Sequence, residues 1–143
     1  MGDTINYLPQ RAPFLFIDSI LYLGKDRVTA TYRVKTNEYF FKGHFPDKPV
    51  MPGVILLEMM FQAGAVYVSR FNRLGNGDIP VIARVENAKF KKMVKPGESL
   101  LIEVSFMEKM NNAFFFKGKI QACGQVVASC DFRTAVVPGI DAR

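Results

Sequence analysis

Alternation of apolar and polar residues is the clearest pattern in the first quarter of the chain. Between Arg27 and Lys35 every second residue is apolar, which is typical of a strand with one buried face. A similar segment, Phe14–Leu23, is joined to it at Gly24-Lys25-Asp26. Further strands are predicted at Ile79–Lys91, Leu100–Glu108, Ala113–Cys123 and Val126–Val136. Because short turns join most of these strands, we predict an antiparallel sheet.

The segment between the second and third predicted strands has a different pattern. From Val54 to Val68 nearly every position is apolar, with Glu58 and Gln62 as the main exceptions. Pro52 suits a first helical turn, and the helix is predicted to run to about Leu74 and end at Gly75-Asn76-Gly77. A helix that is apolar all round must be buried all round. We therefore predict an α+β fold, in which six antiparallel strands wrap one long central helix and a second copy covers the open side.

Composition indicates a single globular domain over residues 1–143. The chain is 49% apolar and 22% charged, which excludes a disordered or disulfide-stapled protein and leaves no room for a separate cofactor domain. Cys123 and Cys130 have neither CxxC nor metal-ligand spacing, and Met1–Tyr7 lacks the features of a signal peptide. We expect reduced cysteines in a cytoplasmic protein. The apolar helix is short for a membrane span and carries Glu58 near its middle, so no membrane insertion is expected.

The charge balance indicates an acidic partner. Nineteen Lys and Arg against 13 Asp and Glu give a net charge of +6. Such a surface attracts nucleic acid, anionic membranes or acidic proteins. No helix-turn-helix, zinc-finger or RNP-like pattern is present in the sequence, so we do not expect nucleic-acid binding.

Two residues have the chemistry of an acid–base pair. Glu58 stands in the apolar helix, where burial raises the pKa of a carboxyl group and favours the protonated form that a general acid needs. The alternative is a structural carboxylate paired with a Lys or Arg. His44, the chain's one histidine, lies in Gly43-His44-Phe45-Pro46 and suits a general base. Neither a zinc ligand set nor a serine-nucleophile motif accompanies it, so we expect no metal and no cofactor.

The start of the helix supplies a third element. At Gly53 the first-turn N–H groups and the positive end of the helix dipole are free to polarise a carbonyl oxygen. Such donors stabilise enolate charge as it develops. A base, an acid and an oxyanion donor together predict abstraction of an α-proton with loss of a β-hydroxyl group.

Several motifs resemble those of the hot-dog-fold 3-hydroxyacyl-[acyl-carrier-protein] dehydratases of fatty-acid synthesis, in the class with a helix glutamate. The match covers nearly the whole chain, and its GHFP…PVMPG…E stretch is highly specific. The matching segments are Leu8–Leu15, Asn37–Pro46, Pro49–Val54, Glu58–Ala63, Asn87–Lys92 and Val94–Glu98.

The resemblance implies the hot-dog fold and a dimer in which His44 of one subunit meets Glu58 of the other. His44 would abstract the α-proton, Glu58 would protonate the departing hydroxyl, and the Gly53 amide would hold the thioester carbonyl. The substrate would be a 3-hydroxyacyl chain on the phosphopantetheine arm of an acyl carrier protein, an acidic partner that suits the +6 charge. Trimers of dimers are common in the family. Further substrate contacts are predicted at Phe45, Gln62 and Phe61, and carrier-protein docking at Lys89, Lys91 and Lys92, whose alternative role is a solvated strand face.

Three positions depart from the family pattern and keep other functions open. Gln10 replaces a usual histidine, Arg84 a usual glycine, and Phe61 a commonly small residue in the helix. A bulky Phe61 would shorten or redirect the acyl tunnel, and core packing is the alternative. The same chemistry in a polyene or polyketide pathway is one alternative function. A subunit that binds carrier protein and depends on a partner is another, while added isomerase activity and a thioesterase are less favoured.

Overall fold

The computed structural model describes residues 7–45, 47–72, 75 and 77–138, in which six strands wrap around one long helix. All strand pairings are antiparallel, and the order across the sheet is β1-β2-β4-β5-β6-β3. This arrangement confirms the predicted α+β architecture. The elements are β1 (Ser19–Leu23), β2 (Arg27–Arg33), a 3₁₀ helix (Tyr39–Lys42), α1 (Gly53–Phe71), β3 (Ile79–Phe90), β4 (Ser99–Met110), β5 (Ala113–Ala122) and β6 (Gln125–Val137).

The sheet approaches α1 so closely that two positions have no room for a side chain. A Cβ at Gly64 of α1 would come within 2.8 Å of the Phe132 ring on β6. A Cβ at Gly118 of β5 would come within 3.0 Å of the Met60 sulfur. These contacts hold the helix against the concave face of the sheet, where side chains such as Met59 are fully buried. Burial of one such side chain stabilises the fold by about 1.5–3 kcal/mol.

By length and composition α1 is the one helix among the described residues that could cross a membrane. More than half of its apolar window is buried inside the protein. The helix therefore has the surroundings of a core helix, and no membrane span follows from its apolar sequence.

One side of the helix remains uncovered in the single chain. Val54 is 70% exposed, and Leu57 and Phe61 are only half-buried, so burial of the helix on all sides, as predicted, would require a second copy. The neighbouring strand β3 lies at the edge of the sheet. Its inward-facing Ile82 and Val85 are 36% and 39% exposed, because α1 does not extend over them. We call the exposed apolar residues on this side the edge patch: Val54, Ile82, Val85, Phe90 and Met93.

The largest difference from the predicted strands is at the N-terminal end of β1. Phe14–Leu23 was predicted to be extended throughout, but the strand begins at Ser19. Asp18 N–H still donates to the Thr31 carbonyl of β2, but the backbone at Phe14 and Phe16 is bound by the helix instead of by a neighbouring strand. The Gln62 side chain accepts a hydrogen bond from Phe16 N–H over 2.9 Å and donates one to the Phe14 carbonyl over 3.1 Å. A side chain that bonds the backbone in this way replaces ladder hydrogen bonds.

The remaining boundaries differ by small amounts. The strand β2 ends at Arg33 instead of Lys35, because Val34 exchanges hydrogen bonds with the turn at Gly97 and Glu98. The helix ends at Phe71, and Asn72 is extended, with its side chain bound by Lys109 of β4. The predicted helix end at Leu74 lies outside the described residues. The other four strands agree with the prediction to within two residues at each end.

Candidate active site

His44 is fixed by hydrogen bonds to its backbone and to its ring. It follows the 3₁₀ helix, and its N–H donates to the Phe40 carbonyl over 3.0 Å. The ring Nδ1 lies 2.8 Å from the Val50 carbonyl oxygen. Because a carbonyl oxygen only accepts, Nδ1 carries the proton and Nε2 is left with a free lone pair. The half-buried imidazole is therefore oriented as a base.

Phe45 shapes the chain immediately after the histidine. Its backbone has a φ of 61°, in the left-handed region that bulky residues avoid. Such a conformation costs about 1–3 kcal/mol and is found mainly where the surrounding structure enforces it. The Phe45 ring is 57% exposed and lies 4.1 Å from the His44 ring, centroid to centroid. An exposed aromatic side chain thus stands beside the histidine at the entrance of the site.

Glu58 lies in the second turn of α1, half-buried. Burial raises the pKa of this carboxyl group, and a hydrogen bond from Gln62 acts in the opposite direction. No Lys or Arg among the described residues forms an ion pair with it. The alternative of a charge-paired structural carboxylate therefore has no support within the described part of one chain. A carboxyl group in these surroundings favours the protonated state of a general acid.

Gln62 lies one helical turn beyond Glu58 and is completely buried. Its Nε2 donates to Glu58 Oε2 over 3.1 Å, while its other bonds hold the backbone at Phe14 and Phe16. These bonds occupy the amide with protein groups. The described contacts therefore give Gln62 a supporting role for the Glu58 carboxyl group.

A cavity of about 460 Å³ joins the histidine to the start of the helix. His44, Gly53 and Phe90 line it, and a Cβ at Gly53 would come within 3.0 Å of the Phe90 ring. The Gly53 N–H lies in the first turn of α1, where amides lack intrahelical acceptors. Among the described residues, Glu58, Gln62 and Phe61 do not line this cavity. The expected meeting of His44 and Glu58 across two subunits stays a prediction.

A larger groove of about 1040 Å³ borders this cavity and shares Phe45, Val50 and Met93 with it. Lys48 and Lys95 lie along its sides, and Met93 is 73% exposed. The sequence alone did not predict Lys48, Lys95 and Met93 as part of the site. Lys48 and Lys95 each precede a proline, which disfavours the helical conformation and is typical of extended or turn segments.

The three lysines predicted to dock a carrier protein lie in two places. Lys91 and Lys92 line the His44 cavity, and the Lys92 ammonium donates to the Gln125 side chain. Lys89 lies on the outer face of the sheet, in a separate depression that also contains Asp131. Only two of the three are therefore close to the histidine.

Phe61 and Arg84, which depart from the family pattern, occupy different surroundings. Phe61 packs edge-on against Phe132, with ring centroids 5.1 Å apart, and remains half-buried on the uncovered side of α1. Arg84 lies on the edge strand β3 and forms an exposed ion pair with Glu86 at 3.1 Å. Phe61 is thus placed beside the open face of the helix, near the turn that carries Glu58.

The fold matches solved hot-dog proteins. A chain of the dehydratase heterocomplex ApeI:P from Xenorhabdus doucetiae superposes with a TM-score of 0.81 at 18% identity, covering 94% of this chain and 91% of that one. The smu.793 protein from Streptococcus mutans UA159, bound to acetyl CoA, superposes with a TM-score of 0.67 at 20% identity, covering 94% and 98%. The predicted hot-dog fold is confirmed.

Sequence comparison identifies the family within this fold. The profile of the FabA-like domain matches residues 8–139, and the chain belongs to the FabA-like family. A Coxiella burnetii protein is 38% identical over 135 residues, covering 92% of this chain and 95% of that protein. One from Xylella fastidiosa is 40% identical over 135 residues, covering 91% and 84%. Both are named 3-hydroxyacyl-[acyl-carrier-protein] dehydratase FabZ, which confirms the predicted resemblance.

Proposed function

We propose that the protein is a hydro-lyase that converts a 3-hydroxyacyl chain on acyl carrier protein to the trans-2-enoyl form in fatty-acid biosynthesis. Membership of the FabA-like family and the FabZ relatives support this reaction. The structural observation that carries the proposal is the orientation of His44. Its Nδ1 proton is directed to the Val50 carbonyl, so the basic Nε2 is available in a cavity at the start of α1.

The proposed reaction uses the three groups in sequence. His44 Nε2 takes the proton from the carbon next to the thioester, and the Gly53 N–H stabilises the charge on the carbonyl oxygen. The electron pair forms the new double bond as the C–O bond to the hydroxyl group breaks. Glu58, whose pKa is raised by burial, gives its proton to the departing oxygen, and water leaves. The histidine then holds one extra proton and the glutamate one fewer, and proton exchange restores both.

A homodimer would complete the site. The edge patch places exposed apolar side chains beside a strand whose outer edge is unpaired within the described chain. Unpaired edges and contiguous apolar patches are typical of interaction surfaces. We propose that two copies pair along β3, which covers the open side of α1 and brings His44 of one subunit to Glu58 of the other.

The carrier protein would approach along the groove beside Phe45. Four lysines surround the groove and the adjoining cavity: Lys48, Lys91, Lys92 and Lys95. Their charge suits an acidic partner, while the apolar lining suits the phosphopantetheine arm that carries the acyl chain. Lys89 lines a separate depression on the outer face of the sheet, so its predicted docking role has less support than that of Lys91 and Lys92. With both cysteines free, we place the enzyme in the cytoplasm.

Phe61 would limit the length of the acyl chain. With the hydroxyl-bearing carbon at Glu58, the tail of the acyl chain is proposed to run along the α1 helix that supplies this carboxyl group, towards the C-terminal end of that helix. Phe61 lies three residues beyond Glu58, which is about 4.5 Å along a helix axis. Its half-buried ring on the open face of the helix therefore stands in the proposed path of the tail.

Hydration of a trans-2-enoyl thioester, which is the reverse of the proposed reaction, tests the proposed function. The purified protein alone should hydrate a carrier-protein-linked enoyl substrate, which is measured as a fall in enoyl absorbance. His44→Ala and Glu58→Gln should each lose at least about a hundredfold in rate, the usual contribution of a general acid or base. A well-folded wild-type dimer without activity would contradict the proposal and favour a subunit that depends on a partner. Chromatography of the products distinguishes added trans-2 to cis-3 isomerisation.

A further inference from the structure

The buried Tyr32 and the half-buried Glu38 are hydrogen-bonded beside the loop that carries His44. Tyr32 is 3% exposed and lies on the inner face of β2. Its hydroxyl donates to Glu38 Oε2 over 2.5 Å, and the Lys35 N–H donates to the same oxygen over 3.2 Å. Burial raises the pKa of Tyr32, and the hydrogen bond to Glu38 raises it further. The phenol therefore keeps its proton at physiological pH and remains a donor. The Glu38 carboxylate thus ties the end of β2 to the loop that follows.

A short series of bonds leads from Glu38 to His44. Glu38 immediately precedes the 3₁₀ helix, and its carbonyl accepts the first bond of that helix, from Phe41 N–H at 3.1 Å. Within the helix the Phe40 carbonyl accepts the N–H of His44. The position of the histidine backbone therefore depends on where the 3₁₀ helix begins.

Aromatic packing supports the same placement. The Phe16 ring lies 6.0 Å from the Tyr32 ring and 6.2 Å from the Phe40 ring, centroid to centroid. The Phe16 backbone is held by Gln62, which also bonds the Glu58 carboxyl group. Tyr32 consequently touches a cluster that contacts both the His44 loop and the support of Glu58.

We propose that Tyr32 is a positioning residue for His44, acting through its hydrogen bond to Glu38. The inference rests on the proposed role of His44 as the base. Loss of the hydroxyl would leave the Glu38 carboxylate facing a bare ring, and the start of the 3₁₀ helix would lose its link to β2. A misplacement of 1 Å in an active site can cost about a hundredfold in rate. Because the Phe40 and Val50 bonds to His44 would remain, we expect a loss of about tenfold in kcat for Tyr32→Phe.

Tyr67→Phe is the matched control. Tyr67 is 4% exposed, and its hydroxyl also donates one hydrogen bond, to the Lys25 carbonyl over 2.8 Å. This bond lies near the C-terminal part of α1, away from the His44 loop. Both variants remove one buried phenol hydroxyl, so they should lower Tm to a similar extent. Only Tyr32→Phe should lower kcat, with KM for an enoyl-pantetheine substrate unchanged.

Two variants of Glu38, the acceptor, test the Tyr32–Glu38 hydrogen bond independently of Tyr32. Glu38→Gln keeps an oxygen that can accept from Tyr32 and Lys35, and it should retain near wild-type kcat. Glu38→Ala should match the loss in Tyr32→Phe. Equal kcat in Tyr32→Phe and Tyr67→Phe would overturn the proposal. Wild-type kcat in Glu38→Ala would do so as well, even if Tyr32→Phe failed to fold.

His44→Ala, measured in the same assay, separates this inference from the proposed function. If His44→Ala is inactive while Tyr32→Phe has normal kcat, the positioning role alone is wrong. If His44→Ala is fully active, the histidine is not the base and both proposals fail. If His44→Ala is inactive and Tyr32→Phe loses about tenfold while Tyr67→Phe does not, both are supported.

Discussion

The side-chain amide of Gln62 donates to the Glu58 carboxylate over 3.1 Å and at the same time accepts from the backbone N–H of Phe16 over 2.9 Å. One buried residue thus orients the proposed acid and replaces the first ladder bonds of a predicted strand. The N-terminal segment and α1 are consequently fixed to each other. Stability and the ionisation of Glu58 should both respond to changes at Gln62.

Replacing Gln62 by methionine tests this joint role. Gln62→Met keeps the approximate volume but leaves the Phe16 N–H buried without an acceptor, which should lower the free energy of unfolding by about 1–3 kcal/mol. Urea denaturation measures the loss. Met60→Leu, at an equally buried position of the same helix, is the control and should cost less than about 1.5 kcal/mol. A loss in Gln62→Met no greater than that in the control would show that the amide bonds contribute nothing.

The raised pKa of Glu58 predicts a pH-dependent effect of Glu58→Gln on stability. Burial raises this pKa above its ordinary value of 4.5, so the folded state holds the proton more tightly than the unfolded state. Stability is then fully present below that value and falls as the pH rises towards the folded-state pKa. Glutamine does not titrate. The variant should therefore gain stability relative to wild type as the pH increases above 4.5.

The difference in unfolding free energy between the two proteins, measured across that pH range, checks the sign. All other titrating groups are shared and cancel in the difference. A difference that stays constant, or that favours wild type as the pH rises, would mean that the pKa of Glu58 is not raised.

Reversing the charge at Lys91 should weaken recognition of the carrier protein. Lys91 lines the His44 cavity, and Lys89 lies on the outer face of the sheet. Lys91→Glu should raise KM for an acyl-carrier-protein substrate by about threefold to tenfold, because a rim charge contributes about 1 kcal/mol or less in water. The increase should shrink at high salt.

Lys89→Glu makes the same change in net charge on the outer face of the sheet, away from the His44 cavity, and should leave KM near the wild-type value. An enoyl-pantetheine substrate, which lacks the carrier protein, should respond to neither variant. Equal increases in KM for Lys89→Glu and Lys91→Glu would indicate a general effect of net charge and no docking site at the cavity.

Phe61→Ala should extend the range of acyl chains accepted. Removal of the ring opens space beyond Glu58, and a pocket that gains room for further methylenes should raise the ratio of dodecenoyl to hexenoyl turnover by about tenfold or more. The ratio is independent of the fraction of enzyme that remains folded. Phe106→Ala, which removes another half-buried ring packed on Tyr67, should leave the ratio unchanged. An unchanged ratio in Phe61→Ala would assign the ring to core packing alone.

Local patterns were sufficient for the fold but only partly sufficient for the site. The period-2 alternation predicted β2, and the apolar run after Pro52 predicted α1, because each pattern follows from local backbone geometry. The predicted start of the first strand at Phe14 is wrong because a helix side chain, distant in sequence, binds that backbone. Lys89 and Lys91 lie in different places because β3 ends at Phe90 and Lys91 follows that end.

Contacts between distant residues explain the rest. The Tyr32–Glu38 bond requires the loop after β2 to fold back onto that strand, and the alternation that predicts β2 carries no information about this. His44 and Glu58 were identifiable from residue chemistry and from the family motifs. Their proposed meeting in one site depends on how two chains pair, which lies beyond the local patterns of one sequence.

A mixture of two inactive variants tests most directly whether His44 and Glu58 act together in a site shared by two subunits. His44→Ala and Glu58→Gln dimers are mixed one to one, allowed to exchange subunits, and assayed for hydration of an enoyl thioester. Random pairing gives half mixed dimers, each with one intact site of two, so activity should recover to about a quarter of the wild-type value. Subunit exchange is verified by mass spectrometry. No recovery after complete exchange would contradict a shared His44–Glu58 site.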